Sequence, residues 1–574
     1  MQMYSSVYDP HTTRVIRQLV EALLFESLIS FQEVRSGEPA ESLFVMHGRH
    51  RSYECRGKRT AFNRVRLTGP VVYKKDSETF QATLDDLLQD FIPEEKVSGL
   101  RTEWEQTIAL SRWNDEHALP PFSRRASAFE DLEAQLIEGH PYHPSYKART
   151  GFSVEDHACY GPEAGQAFSV IWTAIRREIT SLSLPGDETS FWQQELGVEG
   201  WSAVLDEMKR LGIEWQEYTL LPVHPWQWEV LQDELTPLLA DKLMVRLDVG
   251  SERYTATQSV RTLVNRTAPD QAHLKLPMNM VNTSSLRTLK PESVCAAPEI
   301  SAWIAQVVRS DAFFNEKMIV LKEYAGVMAE AGSSALNGQL GAIWRENLSV
   351  YLSEDEEAVP FTAMCVTERD GALFIQPWLD QYGIESWVER LIEVTAIPVW
   401  HLLLAHGIGV ESHAQNMVLI HRNGWPEKVV LRDFHESVEY TKAFVRDLDA
   451  VPDFEKIHPA FKGAPDDQFY RMASEEALRE LVMDTLFVFN LADLSYVLEK
   501  QTGFEETHFW QHVNDQIARH LKQYPHLQKR QEALGMWQPV IYTESLLKKK
   551  LIPGEHRHPV PNEFVRKEES ACFI

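Results

Sequence analysis

The segment from residue 411 to residue 436, ESHAQNMVLIHRNGWPEKVVLRDFHE, places polar side chains on both sides of two apolar runs. An Asn-Gly pair between these runs predicts a β-hairpin with a primed turn. Glu411 and Asn416 precede the first predicted strand, and Asp433 follows the second, which reads as buried. Oxygen ligands of this kind suit Mg²⁺, which also binds substrate phosphates. We therefore expect a metal site here, with a polar surface hairpin as the alternative interpretation.

Two histidine–proline pairs open a second segment, GHPYHPSYKARTGF at residues 139–152. A residue before proline is held in extended geometry, so this segment is predicted to be a stiff loop. His140 and His143 have no cysteine or carboxylate nearby at ligand spacing, which disfavours a zinc site. Lys147 and Arg149 are two cations that favour contact with a phosphate or a carboxylate. A purely structural loop stays open as the alternative.

Two further segments combine hydroxyl groups with an arginine: TATQSVRTLVN at 255–265 and HLKLPMNMVNTSSLRTL at 273–289. The side chains of interest are Ser259, Arg261, Thr262, Lys275 and Arg287. Hydroxyls and a guanidinium in one loop can bind phosphate without a glycine-rich P-loop, which the sequence lacks. Together with the hairpin, these cationic clusters predict ATP with Mg²⁺ as ligands.

The length and charge of the chain limit what kind of protein this is. A chain of 574 residues predicts two or three domains. The formal net charge of −27 argues against a nucleic-acid partner, because phosphate backbones require a basic face. Basic residues that bind an anionic ligand must therefore be clustered locally against an acidic background.

The ends of the chain and its cysteines predict the compartment. The N-terminal residues lack the apolar stretch of a secretory signal, and the longest apolar runs are too short to span a membrane. The cysteines are widely spaced, which is typical of reduced structural thiols: Cys55, Cys159, Cys295, Cys365 and Cys572. We expect a cytoplasmic protein with no membrane partner.

Helical and strand patterns are mixed along the chain, which predicts an α+β protein. An amphipathic helix opens the first third, and β-like runs and a charged helical stretch follow it. Residues 131–320 contain most of the motif-bearing loops and strands, and 321–574 are again mixed. HPWQWE at 224–229 is interpreted as mainly structural, and the run of lysines at 548–550 as a solvated helix end.

These motifs, in this order and spacing, resemble those of the NRPS-independent siderophore (NIS) synthetases, the family of the aerobactin, achromobactin and petrobactin synthetases. The shared segments are GHPYHPSYKARTGF, LPVHPWQWE, SVRTL, LKLPMNMVNTSSLRTL and ESHAQN…RDFHE, within residues 130–550. The resemblance implies a cupped-hand fold with a thumb (1–130), fingers (131–320) and a kinase-reminiscent palm (321–574). It also implies a homodimer.

The chemistry implied by the resemblance is ATP-dependent ligation. A carboxylate of citrate, or of a citryl or dicarboxylate derivative, is adenylated with loss of pyrophosphate, and an amine or polyamine then displaces AMP to form an amide. The nucleotide ligands so implied are His143, Ser259, Arg261, Thr262, Lys275, Arg287, His413 and Asn416. The residues implied in catalysis are Arg287, His413 and Lys147. Glu411 and Asp433 are implied as metal ligands.

Two other functions are compatible with the residues alone. A kinase-like phosphotransferase also pairs a loop Asn with an Asp across a hairpin, as Asn416 and Asp433 would be. A non-enzymatic citrate- or siderophore-binding protein would need the cations but not the metal site. The products separate the three possibilities, because they would be AMP with pyrophosphate, ADP, or neither. The sequence does not specify which carboxylate and which amine are joined.

Overall fold

The structure is a computed structural model that describes residues 9–35, 41–283, 285–330, 332, 334–554 and 556–565. Helices and strands are mixed throughout, so the protein is an α+β protein as predicted. The four cysteines in the described residues are free thiols, and Cys572 lies outside those residues.

The first part of the chain is a helix followed by a six-stranded antiparallel sheet and three more helices. The first helix begins where the Asp9 carboxylate accepts a hydrogen bond from the backbone N–H of Thr12, and a proline occupies its first position. The strands are β1 Phe31–Arg35, β2 Ser42–His47, β3 Ser52–Arg59, β4 Val65–Leu67, β5 Val72–Lys75 and β6 Glu78–Gln81. The helices are α1 Pro10–Phe25, α2 Leu84–Phe91, α3 Glu94–His117 and α4 Phe129–Gln135.

The middle part contains three antiparallel sheets, and two of the predicted phosphate ligands, Thr262 and Lys275, lie on strands of the largest one. Its strands are β7 Arg149–Thr150, β8 Ile171–Arg176, β9 Thr180–Ser183, β10 Tyr218–Val223, β11 Met244–Arg246, β12 Tyr254–Ala256, β13 Thr262–Asn265, β14 His273–Lys275, β15 Val281–Asn282, β16 Ser285–Leu286, β17 Met318–Val320, β18 Glu323–Ala329 and β19 Gly341–Arg345. Its helices are α5 Val154–Tyr160, α6 Glu188–Leu211, α7 Pro225–Val230, α8 Gln232–Ala240 and α9 Pro291–Ser310. The larger sheet has the order β12-β13-β14-β19-β18-β9, which sets β14 beside β19.

The last part is mostly helical and contains a four-stranded sheet of order β17-β23-β22-β20. Its strands are β20 Glu357–Pro360, β21 Ile408–Val410, β22 Met417–Arg422, β23 Trp425–Leu431, β24 Val438–Tyr440, β25 Val540–Glu544 and β26 Arg557–Pro561. Its helices are α10 Gln376–Tyr382, α11 Ile384–Val394, α12 Ala396–His401, α13 Phe454–Ile457, α14 Glu475–Val482, α15 Ala492–Thr502, α16 Glu506–Gln523, α17 Gln528–Ala533 and α18 Leu546–Leu551. A π-helical turn at Leu402–His406 extends α12, and a π-helical segment at Met483–Leu491 joins α14 to α15.

The continuous helix from residue 475 to residue 502 is long and apolar enough to cross a membrane by length and composition. However, 72% of its most apolar 18-residue stretch is buried inside the fold, as in the core helix of a globular protein. Gly503 ends this helix in the left-handed conformation.

The two largest clusters of buried apolar side chains form the main cores of the protein. The large core joins residues from Val15 in α1 to Phe564, so the first and last parts of the chain share it. The second core lies within the middle part, between Phe168 and Trp344. The buried Arg64 and Arg66 of the first part also pair with Asp493 in α15. The three-part division predicted from the sequence stays a prediction, and the large core contains residues from all three of its parts.

Candidate functional site

The predicted hairpin is present as β22 and β23, paired in antiparallel register with Met417 opposite Leu431. Asn423 and Gly424 both have positive φ, which confirms the primed turn. A β-carbon added to Gly424 would lie 2.0 Å from Trp378 Cδ1, so only glycine fits there. Because β23 lies between β17 and β22, the chain carries Asp433 out of the centre of a sheet. The prediction that this hairpin is part of the core is confirmed.

Asp433 is the centre of a buried network of charges. Its Oδ1 atom accepts hydrogen bonds from Lys275 Nζ and Arg345 Nη1, each at 2.9 Å. Burial alone would raise the pKa of Asp433, but these cations hold it well below the ordinary value. Asp433 also has a positive φ of 68°, an uncommon conformation for a residue with a side chain. The carboxylate is therefore ionised and held in one orientation.

Glu323 fixes the backbone immediately after Asp433. Its Oε2 atom accepts the backbone N–H groups of Phe434 and His435 at 3.0 and 2.9 Å. Its Oε1 atom lies 3.1 Å from His435 Nδ1 and 3.5 Å from Lys275 Nζ. Burial opposes ionisation of Glu323, but His435 and Lys275 lower its pKa to about 2. Because one oxygen of Glu323 accepts both of these N–H groups, the backbone that follows Asp433 is held in place and its strained conformation is maintained.

Glu323 and Arg345 are site residues that the sequence analysis missed. They lie directly opposite each other on β18 and β19. Each is a single charge at the end of an otherwise apolar strand, EYAGVMA or GAIWR. A charge in that position is costly to bury unless it is paired, so a lone charge on an apolar strand is the sequence feature that could have identified both residues.

The SVRT motif forms the loop between β12 and β13. The Ser259 hydroxyl accepts the backbone N–H of Thr262 at 3.1 Å, and Val260 between them has a positive φ of 68°. Arg261 donates through Nη1 to the carbonyl of Thr288 at 2.5 Å. Thr262 lies opposite Lys275 in the β13–β14 ladder. The sheet therefore places the two segments that combine hydroxyls with an arginine beside Asp433.

Arg287 directly follows β16, and it lies close enough to Arg261 and Asp433 to feel their charges. Its pKa is lowered to about 9, first by burial and then by the neighbouring Arg261, while Asp433 and Glu411 oppose this effect. Its Nη2 donates to the carbonyl of Asn282 at a long 3.4 Å. Much of its hydrogen-bonding capacity is therefore available to another group.

Lys147 lies in a separate buried ion cluster. Its Nζ is 2.5 Å from Glu163 Oε1, and Arg149 holds the same carboxylate at 2.8 and 2.9 Å. Burial lowers the pKa of Lys147, and Glu163 acts against that shift. The cluster contains two cations and one anion, so it retains a net positive charge. Glu163 was missed by the sequence analysis, because GPEAG contains no recognisable motif.

His143 is fully buried, and its Nδ1 accepts the backbone N–H of Ser145 at 3.0 Å. Burial holds the pKa of His143 well below its ordinary value, and the nearby Lys550 adds to the shift. Lys550 donates to the carbonyl of Thr283 at 2.8 Å and pairs with Glu103. The interpretation of residues 548–550 as a solvated helix end is therefore wrong for Lys550, whose side chain is only 13% exposed.

The loop before β22 carries the remaining predicted residues. Glu411 Oε2 accepts the Ser437 hydroxyl at 2.6 Å, and its Oε1 lies 3.6 Å from His413 Nε2. The side-chain amide of Asn416 donates to the backbone carbonyl of Glu411 at 3.2 Å. The backbone carbonyl of Asn416 accepts the backbone N–H of Arg432 at 3.1 Å. Asn416 thus connects the Glu411 loop to the residue before Asp433. The Glu411 carboxylate is 35% exposed, so it can reach a ligand.

Several buried donor atoms at this site have no hydrogen-bond partner within the described part of the chain. Three of them are Arg261 Nε, Thr262 Oγ1 and Arg287 Nε. An unsatisfied buried donor costs about 1–3 kcal/mol, so such groups are rare without a reason. Their position around one charged network indicates that a ligand rich in acceptor oxygens completes the site.

Comparison with known proteins decides the family. The IucA / IucC family model matches residues 128–366, and a model described as "Ferric iron reductase FhuF-like transporter" matches residues 385–570. The citryl-spermidine/3,4-dihydroxybenzoyl-citryl-spermidine:spermidine ligase of Bacillus anthracis is 36% identical over 571 residues, which are 96% of this chain and 93% of that protein. The chain belongs to the IucA/IucC family. The resemblance inferred from the motifs is confirmed.

Solved structures of IucA/IucC proteins have the same fold. The petrobactin biosynthesis protein AsbB of Bacillus anthracis superposes with a TM-score of 0.92 and 35% identity, over 99% of this chain and 97% of that protein. The ATP-bound aerobactin synthetase IucA of Klebsiella pneumoniae superposes with a TM-score of 0.76 over 97% of this chain and all of that protein. At 17% identity, the second likeness shows the fold alone.

IucA/IucC proteins are ATP-dependent ligases that form amide bonds in siderophore biosynthesis, and this chain is an enzyme of that kind. That result removes the binding-protein and phosphotransferase alternatives. The two family models divide the site between them: the first contains the loops predicted to bind phosphate with Glu323 and Arg345, and the second contains Glu411 through Asp433. A complete site therefore requires both halves of the chain.

Proposed function

We propose that this protein adenylates a carboxylate of citrate, or of a citryl derivative, and couples it to an amine with release of AMP and pyrophosphate. The amine is proposed to belong to a polyamine such as spermidine. That choice rests on the name of the Bacillus anthracis ligase, which specifies citryl-spermidine and spermidine, and on its 36% identity over nearly the whole chain.

The observation that carries this proposal is the set of unpaired donors around Asp433. Arg261 Nε, Thr262 Oγ1 and Arg287 Nε are buried without partners among the described residues, and Lys275 lies opposite Thr262. Phosphate and carboxylate oxygens are the acceptors that such donors prefer. We assign Ser259, Arg261, Thr262 and Lys275 to the ATP phosphates. The same role is proposed for His143, Lys147, His413 and Asn416.

The residues at the hairpin fit Mg²⁺. Asp433 is ionised, and its Oδ2 atom takes part in none of the hydrogen bonds between described residues. Glu411 offers a second carboxylate, and both donors are oxygen, as Mg²⁺ requires. We propose that Glu411 and Asp433 hold the metal, which would supply positive charge to the phosphates when it is bound.

The first step needs positive charge more than it needs a base. The substrate carboxylate is already ionised at neutral pH, since carboxyl groups titrate near pKa ~4. One of its oxygens attacks the α-phosphorus of ATP, the bond to the bridging oxygen breaks, and pyrophosphate leaves. Arg287 is proposed to hold this carboxylate beside the nucleotide, because it has donors to spare and adjoins Arg261.

The second step forms the amide. The neutral amine attacks the acyl carbon of the acyl-adenylate, the bond to the phosphate oxygen breaks, and AMP leaves with both electrons. The nitrogen then gives its extra proton to water. Glu436 pairs with Lys290 at 3.1 Å and accepts the Ser293 hydroxyl at 3.3 Å, so we propose that it acts only through its neighbours.

The domain divisions, the oligomeric state and the cellular location are also proposed. We propose the thumb, fingers and palm arrangement with divisions near residues 130 and 320, a kinase-like palm, a homodimer, and a cytoplasmic location. Light scattering of the purified chain would test the dimer directly.

The decisive experiment identifies the products. Purified protein is supplied with ATP, Mg²⁺ and citrate, with hydroxylamine as a surrogate amine and then with spermidine. We expect AMP, pyrophosphate and a citryl hydroxamate or amide in equal amounts. Formation of ADP, or of no nucleotide product with any citryl or dicarboxylate substrate, would contradict the proposal. Replacing spermidine with shorter diamines then measures the preference for the amine.

A further inference from the structure

Three metal-ligating side chains meet away from the site described above, at the C-terminal end of α9. Asp311 Oδ2 lies 2.9 Å from His406 Nε2 and 3.2 Å from His401 Nε2. All three ligand atoms lie within 4.8 Å of one another. Both imidazoles are buried, whereas the Asp311 side chain is 21% exposed and gives access from solvent.

The local backbone is what brings the two histidines together. His401 and His406 are five positions apart, and in an α-helix they would point about 140° away from each other. Residues Leu402–His406 instead form a π-helical turn, in which the N–H of Gly407 bonds to the carbonyl of Leu402. Residues five apart share a face in that geometry. Single π-turns within α-helices frequently occur at functional sites.

Two of the proposed ligands are also held in place by a second group. His520 Nε2 lies 2.9 Å from His401 Nδ1, and the backbone N–H of Phe313 donates to Asp311 Oδ1 at 2.9 Å. Groups behind a ligand that fix its orientation in this way are typical of metal sites.

We propose that Asp311, His401 and His406 bind a divalent transition-metal ion, with Zn²⁺ the best fit. Zinc–ligand bonds of about 2.1 Å in a tetrahedron separate neighbouring ligand atoms by about 3.4 Å, close to the two distances observed here. Two nitrogen donors with one carboxylate suit zinc and its neighbours better than Mg²⁺ or Ca²⁺. The fourth position would be filled by water entering beside Asp311.

This site is separate from the one that binds nucleotide. Ser293, near the start of α9, contacts Glu436, whereas Asp311 follows the last residue of the same helix. Eighteen residues of helix separate the two positions by about 27 Å. The metal would instead connect α9, the helix ending at His406 and, through His520, α16. Its expected effect is on stability and not on the chemical step.

Cations near the cluster set the expected strength of binding. Arg446 and Arg530 lie close enough to His406 to lower its pKa, and Lys317 does the same for His520. These charges oppose a metal ion, so we expect weaker binding than in a site free of them. Without metal the three residues form a hydrogen-bonded triad, and that triad alone is the competing explanation.

The test uses the full chain, stripped with a chelator and dialysed, with no nucleotide present. Equilibrium dialysis against Zn²⁺ should give one ion per chain, and thermal denaturation should shift to higher temperature. Co²⁺ should give the strong visible absorption of a four-coordinate site. His406→Gln and Asp311→Asn should each weaken binding at least tenfold. His520→Phe should weaken it tenfold to a hundredfold, because His520 orients His401.

Two controls make the result decisive. His512→Gln, on the same helix as His520, should leave binding unchanged. Glu411→Gln removes a proposed Mg²⁺ ligand and should also leave it unchanged. Failure to bind Zn²⁺, binding that persists in both His406→Gln and Asp311→Asn, or loss of binding in Glu411→Gln would overturn the proposal. If a triad variant does not fold, the Co²⁺ spectrum of the wild-type chain decides, since weak six-coordinate absorption would refute the site.

Discussion

Replacing Asp433 with alanine is expected to abolish activity and also to destabilise the protein. Lys275 and Arg345 are buried, and both donate to the same carboxylate oxygen at 2.9 Å. Breaking a buried ion pair costs about 3–5 kcal/mol, because the remaining charge is left without compensation. The two contacts share one acceptor, so their costs should not be added. Glu323, 3.5 Å from Lys275, offsets part of the loss.

Asp433→Asn separates the catalytic effect from the structural one. The asparagine side-chain oxygen can still accept from Lys275 and Arg345, so we expect Asp433→Asn to be destabilised less than Asp433→Ala, although it too leaves both cations without a compensating charge. It cannot supply the negative charge that a metal ligand needs. Both variants should therefore reduce pyrophosphate release by orders of magnitude, while only the alanine variant is strongly destabilised.

The assay pairs pyrophosphate release with urea denaturation followed by tryptophan fluorescence. Asp355→Ala is the matched control, because Asp355 is an exposed partner of Arg422 and should have little effect on either measurement. Near-normal activity of Asp433→Asn would refute the metal assignment. An alanine variant as stable as the wild type would refute the conclusion that Asp433 compensates two buried cations.

Three further results are expected. Arg287→Ala should raise KM for the carboxylate more than for ATP, and Lys147→Ala should do the reverse; equal effects on both substrates would contradict this division. Amide formation with a primary amine, whose pKa is ~10, should accelerate from about pH 6.5 to 8.5, whereas hydroxylamine, a much weaker base, should show no such rise. Glu195, which accepts the Tyr324 hydroxyl at 2.7 Å, has its pKa raised to about 7 by burial. The folded state keeps this proton up to about pH 7, whereas the unfolded state loses it near pH 4.5, so the free energy of unfolding should fall as the pH rises from 4.5 to 7. Glu195→Gln should lose that pH dependence. In urea denaturation at pH 7 and above, it should be more stable than the wild type by roughly 1–3 kcal/mol.

Local patterns in the sequence determined much of this protein. The Asn-Gly pair between apolar runs specified the hairpin and its turn, since only residues tolerant of positive φ fit there. The alternation of apolar residues predicted an α+β fold, and the order of five motifs predicted the family. The roles assigned to Arg261, Lys275, Arg287 and Asp433 stay predictions, although the structure places these residues together.

Only the tertiary structure decided how these residues are paired. Sequence alone treats Asp433 as a free metal ligand, but two buried cations from distant strands already hold one of its oxygens. Glu323, Arg345 and Glu163 could not be found by motif, because a lone charge gains meaning only when folding removes water and sets an opposite charge beside it. The same reason accounts for Lys550, which the sequence placed in solvent and the fold encloses.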